Sequence, residues 1–194
     1  MVGSREEAAR SRTGDIRCQT SGTAKPAEPR AHPTNHTLMT KKSRHIWEPG
    51  DFFAIPLSDG STATGQVLGY EPEALNSAVC AFFARRCVDQ PSKRGAPPTK
   101  DELVAVLFVT RDLLDSGTWQ VIGRGAPLPT APHIDLDVLR ARRFVGVKVV
   151  GSGIANRLMD AYFGLYPWNG FAQPDYLDKL LISADRKPRN VLLK

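Results

Sequence analysis

The sequence predicts an α+β fold, with a mostly antiparallel, partly barrel-like (SH3-like) β-sheet and two short C-terminal helices. Apolar, β-branched runs separated by hairpin-length or irregular loops extend from residue 50 to residue 150, a pattern typical of an antiparallel sheet that curls towards a barrel. Gly and Pro are concentrated in the loops between those runs, where they act as turn signals. Beyond residue 150 the apolar residues recur every four positions, which indicates a helix.

The most informative segment is residues 50–70, which opens with Gly-Asp-Phe-Phe-Ala-Ile-Pro-Leu. Residues 52–57 are rich in aromatic and branched side chains, which favours a strand with contacts on both faces. Asp59 and Gly60 predict a two-residue primed turn, because such turns need positive φ at both central positions. Pro56 has no N–H, so we expect its strand to be an edge strand or to have a bulge at that residue.

Continuous apolar segments predict the other strands. Residues 103–109 hold three valines and a phenylalanine, which favours a buried central strand over a helix. Residues 110–117 predict a short helical turn that Gly117 closes, and residues 135–143 are either helical or extended. Further strands are predicted at residues 78–88, 119–122, 144–150 and 190–193, with loops at 89–100 and 123–132.

Two helices are predicted near the C-terminus. Ile154, Leu158 and Tyr162 form one apolar face, so the first helix has a cap at Ser152 or Gly153 and ends at Gly164. The second helix opens at Pro174 and Asp175, and its buried side is made of Tyr176, Leu177, Leu180 and Leu181.

Residues 1–46 differ from the rest of the chain in composition. They contain no Phe, Trp or Tyr, and they hold 9 Lys and Arg residues against 4 Asp and Glu residues. Such a segment cannot bury enough apolar area to offset the entropy of ordering it. We predict a disordered basic tail over residues 1–46 and a single globular domain over residues 47–194. Met39, just before a basic run, is an alternative start of translation.

The basic character of the chain belongs mostly to that tail. The formal net charge is +6, but residues 47–194 hold 17 of the 26 Lys and Arg residues and 16 of the 20 Asp and Glu residues, a net of +1. This near-neutral domain argues against a nucleic-acid partner. The chain has no apolar core of a secretory signal and no run of about 18 apolar residues. We therefore expect a soluble, cytoplasmic protein without a membrane partner, and three reduced cysteines fit that compartment.

Three arrangements are similar to ligand or catalytic sites, and each has a simpler structural interpretation. Residues 151–156, Gly-Ser-Gly-Ile-Ala-Asn, are similar to a dinucleotide-binding loop, but Asn156 replaces the small third residue and no βαβ series surrounds it. They indicate a strand-to-helix turn. His133, the one histidine outside the tail, has no nearby ligand or acid–base partner in sequence. Two acidic pairs have the spacing of helix caps or solvated faces, Asp112 with Asp115 and Asp175 with Asp178.

The sequence therefore predicts no catalytic, cofactor-binding or metal-binding residue, and no cofactor. The basic runs at residues 41–44 and 140–143 are interpreted as a solvated tail and a surface turn rather than as phosphate sites. Trp47, Trp119 and Trp168 each flank a turn or the end of an element, where a large ring often covers the edge of the core. Trp168, in an aromatic turn rich in Gly and Pro, is the strongest candidate to anchor a partner instead.

Two motifs resemble those of a known family. Gly50-Asp-Phe-Phe-Ala-Ile-Pro-Leu-x-Asp-Gly-x-x-x-x-Gly-Gln-Val-Leu resembles the opening motif of the immunity protein 26 family, and Gly117-Thr-Trp-Gln-Val-Ile-Gly123 resembles its second recurring block. The resemblance covers about residues 47–150, with an extension into the C-terminal helices as the alternative. Members are cytoplasmic antidotes found beside toxin genes in bacterial polymorphic toxin systems, so the resemblance implies a mostly β fold, a binding function and no catalytic residues. The long N-terminal tail departs from the compact family pattern.

A second class of protein is similar at the same segment. A Gly-Asp opening followed by a twisted hairpin also begins small SH3-like barrels, including endoribonuclease toxins. Those barrels usually have an arginine in the first hairpin loop that can stabilise a phosphate transition state. Residues 58–64 hold Asp59 and no arginine here, which argues against a nuclease. A barrel that binds a small molecule or a peptide is a third alternative.

The sequence thus favours a non-enzymatic immunity protein that binds and neutralises a cognate polymorphic toxin, with the toxin domain as its protein partner. On this hypothesis residues 47–194 present an exposed patch with aromatic anchors, and residues 1–38 are dispensable for protection.

Overall fold

A six-stranded sheet with strand order β5-β1-β2-β3-β4-β6 forms the centre of the computed structural model. The structure describes residues 46–88 and 96–194. Residues 1–45 of the predicted disordered tail therefore lie outside the described residues. The strands are β1 (Asp51–Pro56), β2 (Thr62–Glu71), β3 (Ser77–Cys87), β4 (Leu103–Val109), β5 (Gln120–Arg124) and β6 (Val149–Val150), and the helices are α1 (Asp112–Asp115), α2 (Leu136–Ala141) and α3 (Ser152–Tyr162). That residues 47–194 form a single domain stays a prediction.

The sheet is open and mixed. Its neighbouring strands are antiparallel except for β4 and β6, which are parallel. The α+β class is confirmed, but the partly barrel-like (SH3-like) form is not observed. The chain that follows β5 packs on one face of the sheet through Leu128, Ile134 and Leu139. It then adds β6 at the edge opposite β5, so the two ends of the sheet stay apart.

The β1–β2 hairpin has a three-residue loop, so the predicted two-residue primed turn is wrong. Gly60 N donates to Leu57 O at 3.0 Å, and Leu57 N donates to Ser61 O at 2.8 Å. Within this loop positive φ is confined to Gly60, as in a type I turn followed by a left-handed residue. The Asp59 carboxylate accepts hydrogen bonds from the backbone and the hydroxyl of Ser61, and these bonds stabilise the longer loop.

Pro56 occupies an interior strand, so the prediction of an edge strand or a bulge at this residue is wrong. The pairing of β1 with β5 runs only from Asp51 to Ala54, and its register shift lies between Phe52 and Phe53. Pro56 therefore lies beyond the end of that pairing, where its missing N–H removes no sheet hydrogen bond. On its other side Pro56 is in register with Thr62 of β2.

In the C-terminal third the helix α3 is confirmed, although its N-cap is Gly151 rather than the predicted Ser152 or Gly153, and the other predicted elements differ. The predicted strand at 144–150 is reduced to Val149–Val150, because Phe144 lies in a turn with positive φ and packs on Phe108. The predicted second helix is a single 3-10 turn, Asp178–Leu180. It ends early because Ile182 N donates to Val104 O at the edge of the sheet. Residues 190–193 form no strand.

Each face of the sheet carries its own hydrophobic core. One core joins the sheet to α3 and the segment after it, and it includes Phe53, Phe82, Trp119, Leu158, Met159 and Trp168. The other joins the opposite face to the segment between β5 and β6, and it includes Leu68, Phe83, Phe108 and Phe144. All seven residues of β4 are buried, as predicted, but the strand is not central, because it lies next to the edge strand β6 and pairs with it only at Phe108 and Val109.

Candidate functional site

The two sequence motifs lie side by side in the sheet, as β1 and β5. Asp51 is 3% exposed, and its carboxylate accepts hydrogen bonds from Arg124 Nε at 2.6 Å and from Glu48 N at 2.8 Å. Gly50 has a φ of +94°, and a Cβ there would lie 2.4 Å from the carbonyl oxygen of Gly125. Only glycine therefore fits at the start of the first motif.

Other residues of the first motif contribute to the core and hold in place the segment that follows β5. The ring of Phe53 lies directly over Gly65, where a Cβ would come within 2.3 Å of it. The fully buried Gln66 side chain donates to Ala126 O and accepts from Leu128 N. The motifs by which the sequence resembles a family are therefore structural, and they leave the functional surface to other residues.

The structure has a cleft of about 370 Å³ over β5, β1, β2 and β3. Phe52 and Ile122 line it with apolar surface, Thr62 and Thr64 add hydroxyl groups, and Cys87 lies at its edge. Its volume falls in the range typical of ligand and peptide sites, about 300–1,000 Å³. Sequence reasoning missed this site because its residues come from four strands whose order in the sheet is not evident from the sequence.

Three arginines surround the cleft, and each is held by carboxylates of the same chain. Arg124 pairs with Asp51 and Glu48, and the hydrogen bond to Asp51 raises the pKa of Arg124. The hydrogen bond from Ser61, helped by Arg86, lowers the pKa of Asp59. Burial raises the pKa of Glu102, but hydrogen bonds from Arg85 and Thr99 outweigh it and lower the pKa overall. The ion pairs are Arg85 with Glu102, Arg86 with Asp59, and Arg124 with Asp51 and Glu48.

This electrostatic balance has a chemical consequence. Because these carboxylates neutralise the three arginines, the described lining residues offer no unpaired arginine of the kind a ribonuclease needs to stabilise a phosphate. The first hairpin loop does meet an arginine, Arg86 of β3, but Asp59 of the same loop pairs with it. Together with the open sheet, this arrangement gives no support to the SH3-like nuclease alternative.

The three tryptophans have different environments. Trp168 is 1% exposed, and its indole Nε1 donates to Asp178 Oδ1 at 2.9 Å. The prediction that Trp168 anchors a partner is therefore wrong for this structure, because its ring is enclosed in the core. Trp119 is also buried, and its Nε1 donates to Asn156 Oδ1 at 3.0 Å.

Trp47 is the tryptophan that reaches the surface. It is half-buried, packs edge-on against Tyr70 with centroids 5.9 Å apart, and donates from Nε1 to Asp115 at 2.8 Å. The Arg111 guanidinium lies over both rings. The indole N–H of Trp47 is already used within the protein, so this cluster is a structural contact at the end of β2.

The other residues considered as site candidates have structural partners. Asp112 accepts from the hydroxyls of Thr110 and Ser152, at the start of α3. Asp175 pairs with Lys179 on the surface. The turn at residues 151–156 connects β6 to α3, as predicted.

No metal or membrane site is evident in the part of the chain that the structure describes. His133 is exposed in the loop before α2. Within the described residues, no group of three or more His, Cys, Asp and Glu side chains is arranged to hold a metal ion. No helix within residues 46–88 and 96–194 is both long and apolar enough to cross a membrane.

The fold and the site define an α+β protein with an exposed, charge-balanced cleft. Residues 48–137 match the model of the family described as Immunity protein 26, which confirms the predicted resemblance over this segment. The match covers β1 to β5 and enters α2, so α3 and the rest of the C-terminal third lie outside it. No curated protein and no solved structure matches the chain. The family suggests an immunity function, a protein partner and a non-enzymatic role.

Proposed function

We propose that this chain is a non-enzymatic immunity protein of a bacterial polymorphic toxin system. It acts in the cytoplasm, binds a cognate toxin domain and blocks the active site or the substrate surface of that domain. The observation that carries the proposal is the family match over residues 48–137.

The arrangement of the motif residues supports a binding role. Gly50, Asp51, Phe53, Gly65 and Gln66 are used to hold the sheet together and to fix the segment after β5. A rigid scaffold lowers the entropic cost of binding, because fewer groups need to be ordered in the complex. The arginines around the cleft are likewise held in place before any partner arrives.

Co-expression with the neighbouring toxin domain tests the proposal. The upstream gene is expected to encode a long secreted protein with a variable C-terminal toxin domain. Cells that express this domain together with the full chain should grow, and the two proteins should co-purify. Cells that express the domain with a chain carrying Phe53→Ala, which removes the central core contact, should be less well protected.

Deletion of residues 1–38 should leave protection intact, because the proposed binding function lies in the folded part. Growth arrest that the full-length chain does not relieve, together with no complex after co-purification, would contradict the proposal.

A further inference from the structure

Residues 47–194 are nearly neutral in total, but they consist of two segments whose net charges have opposite signs. The family-matched segment, residues 48–137, holds 7 Lys and Arg residues against 12 Asp and Glu residues, a net of −5. Residues 138–194 hold 10 Lys and Arg residues against 4 Asp residues, a net of +6. The C-terminal third therefore differs from the family-matched segment in charge, and it lies outside the family match.

Three aromatic side chains in this basic third contact one another in series. Tyr166 and Phe171 have ring centroids 6.0 Å apart, and Phe171 stacks on Tyr176 at 5.0 Å. We call Tyr166, Phe171 and Tyr176 the aromatic row. All three are half-buried, so each packs on the core with part of its ring and exposes the remainder to solvent.

A cation lies over each end of the aromatic row. The Arg157 guanidinium carbon is 5.0 Å from the ring centroid of Tyr166, and Lys148 Nζ is 4.3 Å from that of Tyr176. Lys148 forms no ion pair with another described residue, and the Arg157 contact with Asp160 is long, at 3.4 Å. Unlike the arginines of the cleft, Lys148 thus keeps its charge available to a partner.

The turn that carries the aromatic row is held in place by the buried Trp168 and its hydrogen bonds. Trp168, which lies between Tyr166 and Phe171 in the sequence, is buried. Its Nε1 donates to Asp178, and its backbone N donates to Leu192 O at 2.8 Å. A Cβ at Gly170 would lie 2.5 Å from the Tyr166 ring, so this ring lies flat on the turn. A preorganised aromatic surface loses little entropy on binding.

We propose that the aromatic row, with Lys148 and Arg157 at its ends, is the surface that docks an acidic face of the cognate toxin domain. The inference rests on the proposed function. Tyr and Arg are enriched among the residues that dominate binding energy, and cations beside them select an acidic partner and accelerate association. Because this surface lies outside the family match, it sets which toxin the protein binds. The Trp168 turn contributes by supporting the row.

The test compares the affinity of full-length variants for an inactivated form of the toxin domain encoded beside this gene. Lys148→Glu and Tyr176→Ala should each weaken binding by about tenfold or more, and binding of the unaltered chain should weaken as salt is raised. Lys100→Glu is the matched control, since Lys100 is exposed but belongs to the family-matched segment. It should leave the affinity within about twofold. Urea unfolding of each variant checks that the fold is retained.

Several outcomes would overturn the inference. Unchanged affinity in folded Lys148→Glu and Tyr176→Ala would place the toxin elsewhere and leave the proposed function standing. An equal loss in Lys100→Glu would show a general charge effect rather than a surface. No binding by the unaltered chain would remove the proposed function as well. Binding of a fluorescein-labelled oligothymidylate that Lys148→Glu abolishes, without toxin binding, would assign the row to single-stranded nucleic acid.

Discussion

The ring of Phe53 stacks on the indole of Trp119, with centroids 4.9 Å apart and planes inclined by 10°. Phe82 packs edge-on against Trp119 at 5.8 Å, and all three side chains are fully buried. Phe53 belongs to the first motif and Trp119 to the second, so an aromatic contact joins the two motifs in addition to the pairing of β1 with β5. The residues that make the family recognisable are those that hold its segment together.

Truncation of this stack should be costly. Phe53→Ala should lower the free energy of unfolding by about 3–5 kcal/mol, because it leaves a cavity beside Trp119. Urea unfolding followed by tryptophan fluorescence measures the loss. Phe52→Ala is the matched control, since Phe52 is the neighbouring phenylalanine but is half-buried at the cleft, and it should cost less. Equal losses at the two positions would contradict the assigned core.

The flat position under Phe53 should accept only glycine. Gly65→Ala would place a Cβ 2.3 Å from the Phe53 ring, and the resulting overpacking should destabilise the protein by about 1–3 kcal/mol. Gly123→Ala, where a Cβ meets nothing within 4 Å, should be nearly neutral. Combining Gly65→Ala with Phe53→Leu should cost less than the sum of the two single changes. Strict additivity in urea unfolding would exclude the predicted clash.

Phe53 and Gly65 show which parts of the fold can be predicted from the sequence alone. The β-branched and aromatic runs predicted β1, β3 and β4, because a strand buried on both faces appears in the sequence as a short continuous apolar run. The contact of Phe53 with Trp119 joins segments far apart in the chain, and the pairing of Phe53 with Gly65 depends on the hairpin register that the three-residue loop sets. The open form of the sheet escaped prediction for the same reason, since it depends on where the segment after β5 packs.

The surfaces that are candidates for binding a partner were harder to predict from the sequence than the fold. Trp168 is predicted as a partner anchor because it is an aromatic residue in a turn, yet the turn directs its ring into the core, where Asp178 accepts its N–H. The neighbouring Tyr166 and Phe171 are only half-buried and reach the surface instead. Sequence identifies such a turn, but which ring faces inward depends on the packing beneath it.

Asp160 should be needed to hold the first hairpin loop against α3. This carboxylate is 2% exposed and accepts from the backbone N and the hydroxyl of Ser58, at 2.8 and 2.7 Å. Asp160→Asn replaces one acceptor oxygen with a donor, so it should cost about 1–3 kcal/mol of unfolding free energy. Asp175→Asn, which removes only a solvent-exposed ion pair with Lys179, should leave the unfolding free energy nearly unchanged. A loss at Asp160 as small as that at Asp175 would show that the Ser58 contacts contribute little.

Asp112 should contribute to the acid sensitivity of the protein. Burial acts to raise the pKa of Asp112, but hydrogen bonds from Thr110 and Ser152 outweigh it, so the pKa lies below its ordinary value of 3.8. A carboxyl with a lowered folded-state pKa stabilises the protein above that ordinary value and loses this contribution as the pH falls through the folded pKa. The difference in unfolding free energy between the unaltered chain and Asp112→Asn should therefore be largest near neutral pH and shrink below pH 3.8.

Urea unfolding of both proteins across that pH range provides the measurement. Glu73→Gln is the control, since Glu73 is exposed, and its difference from the unaltered chain should stay small throughout. A difference for Asp112→Asn that is constant with pH would contradict the predicted contribution.

The most direct test of the central claim is a titration of the purified toxin domain with the full-length chain, read as residual toxin activity. Neutralisation by binding predicts that activity falls in proportion to the amount of chain added and disappears at a fixed molar ratio. The toxin recovered from the complex should have an unchanged mass. Loss of toxin activity at a small fraction of that ratio, or a toxin of altered mass, would show catalysis and contradict the account, as would full activity in an excess of the chain.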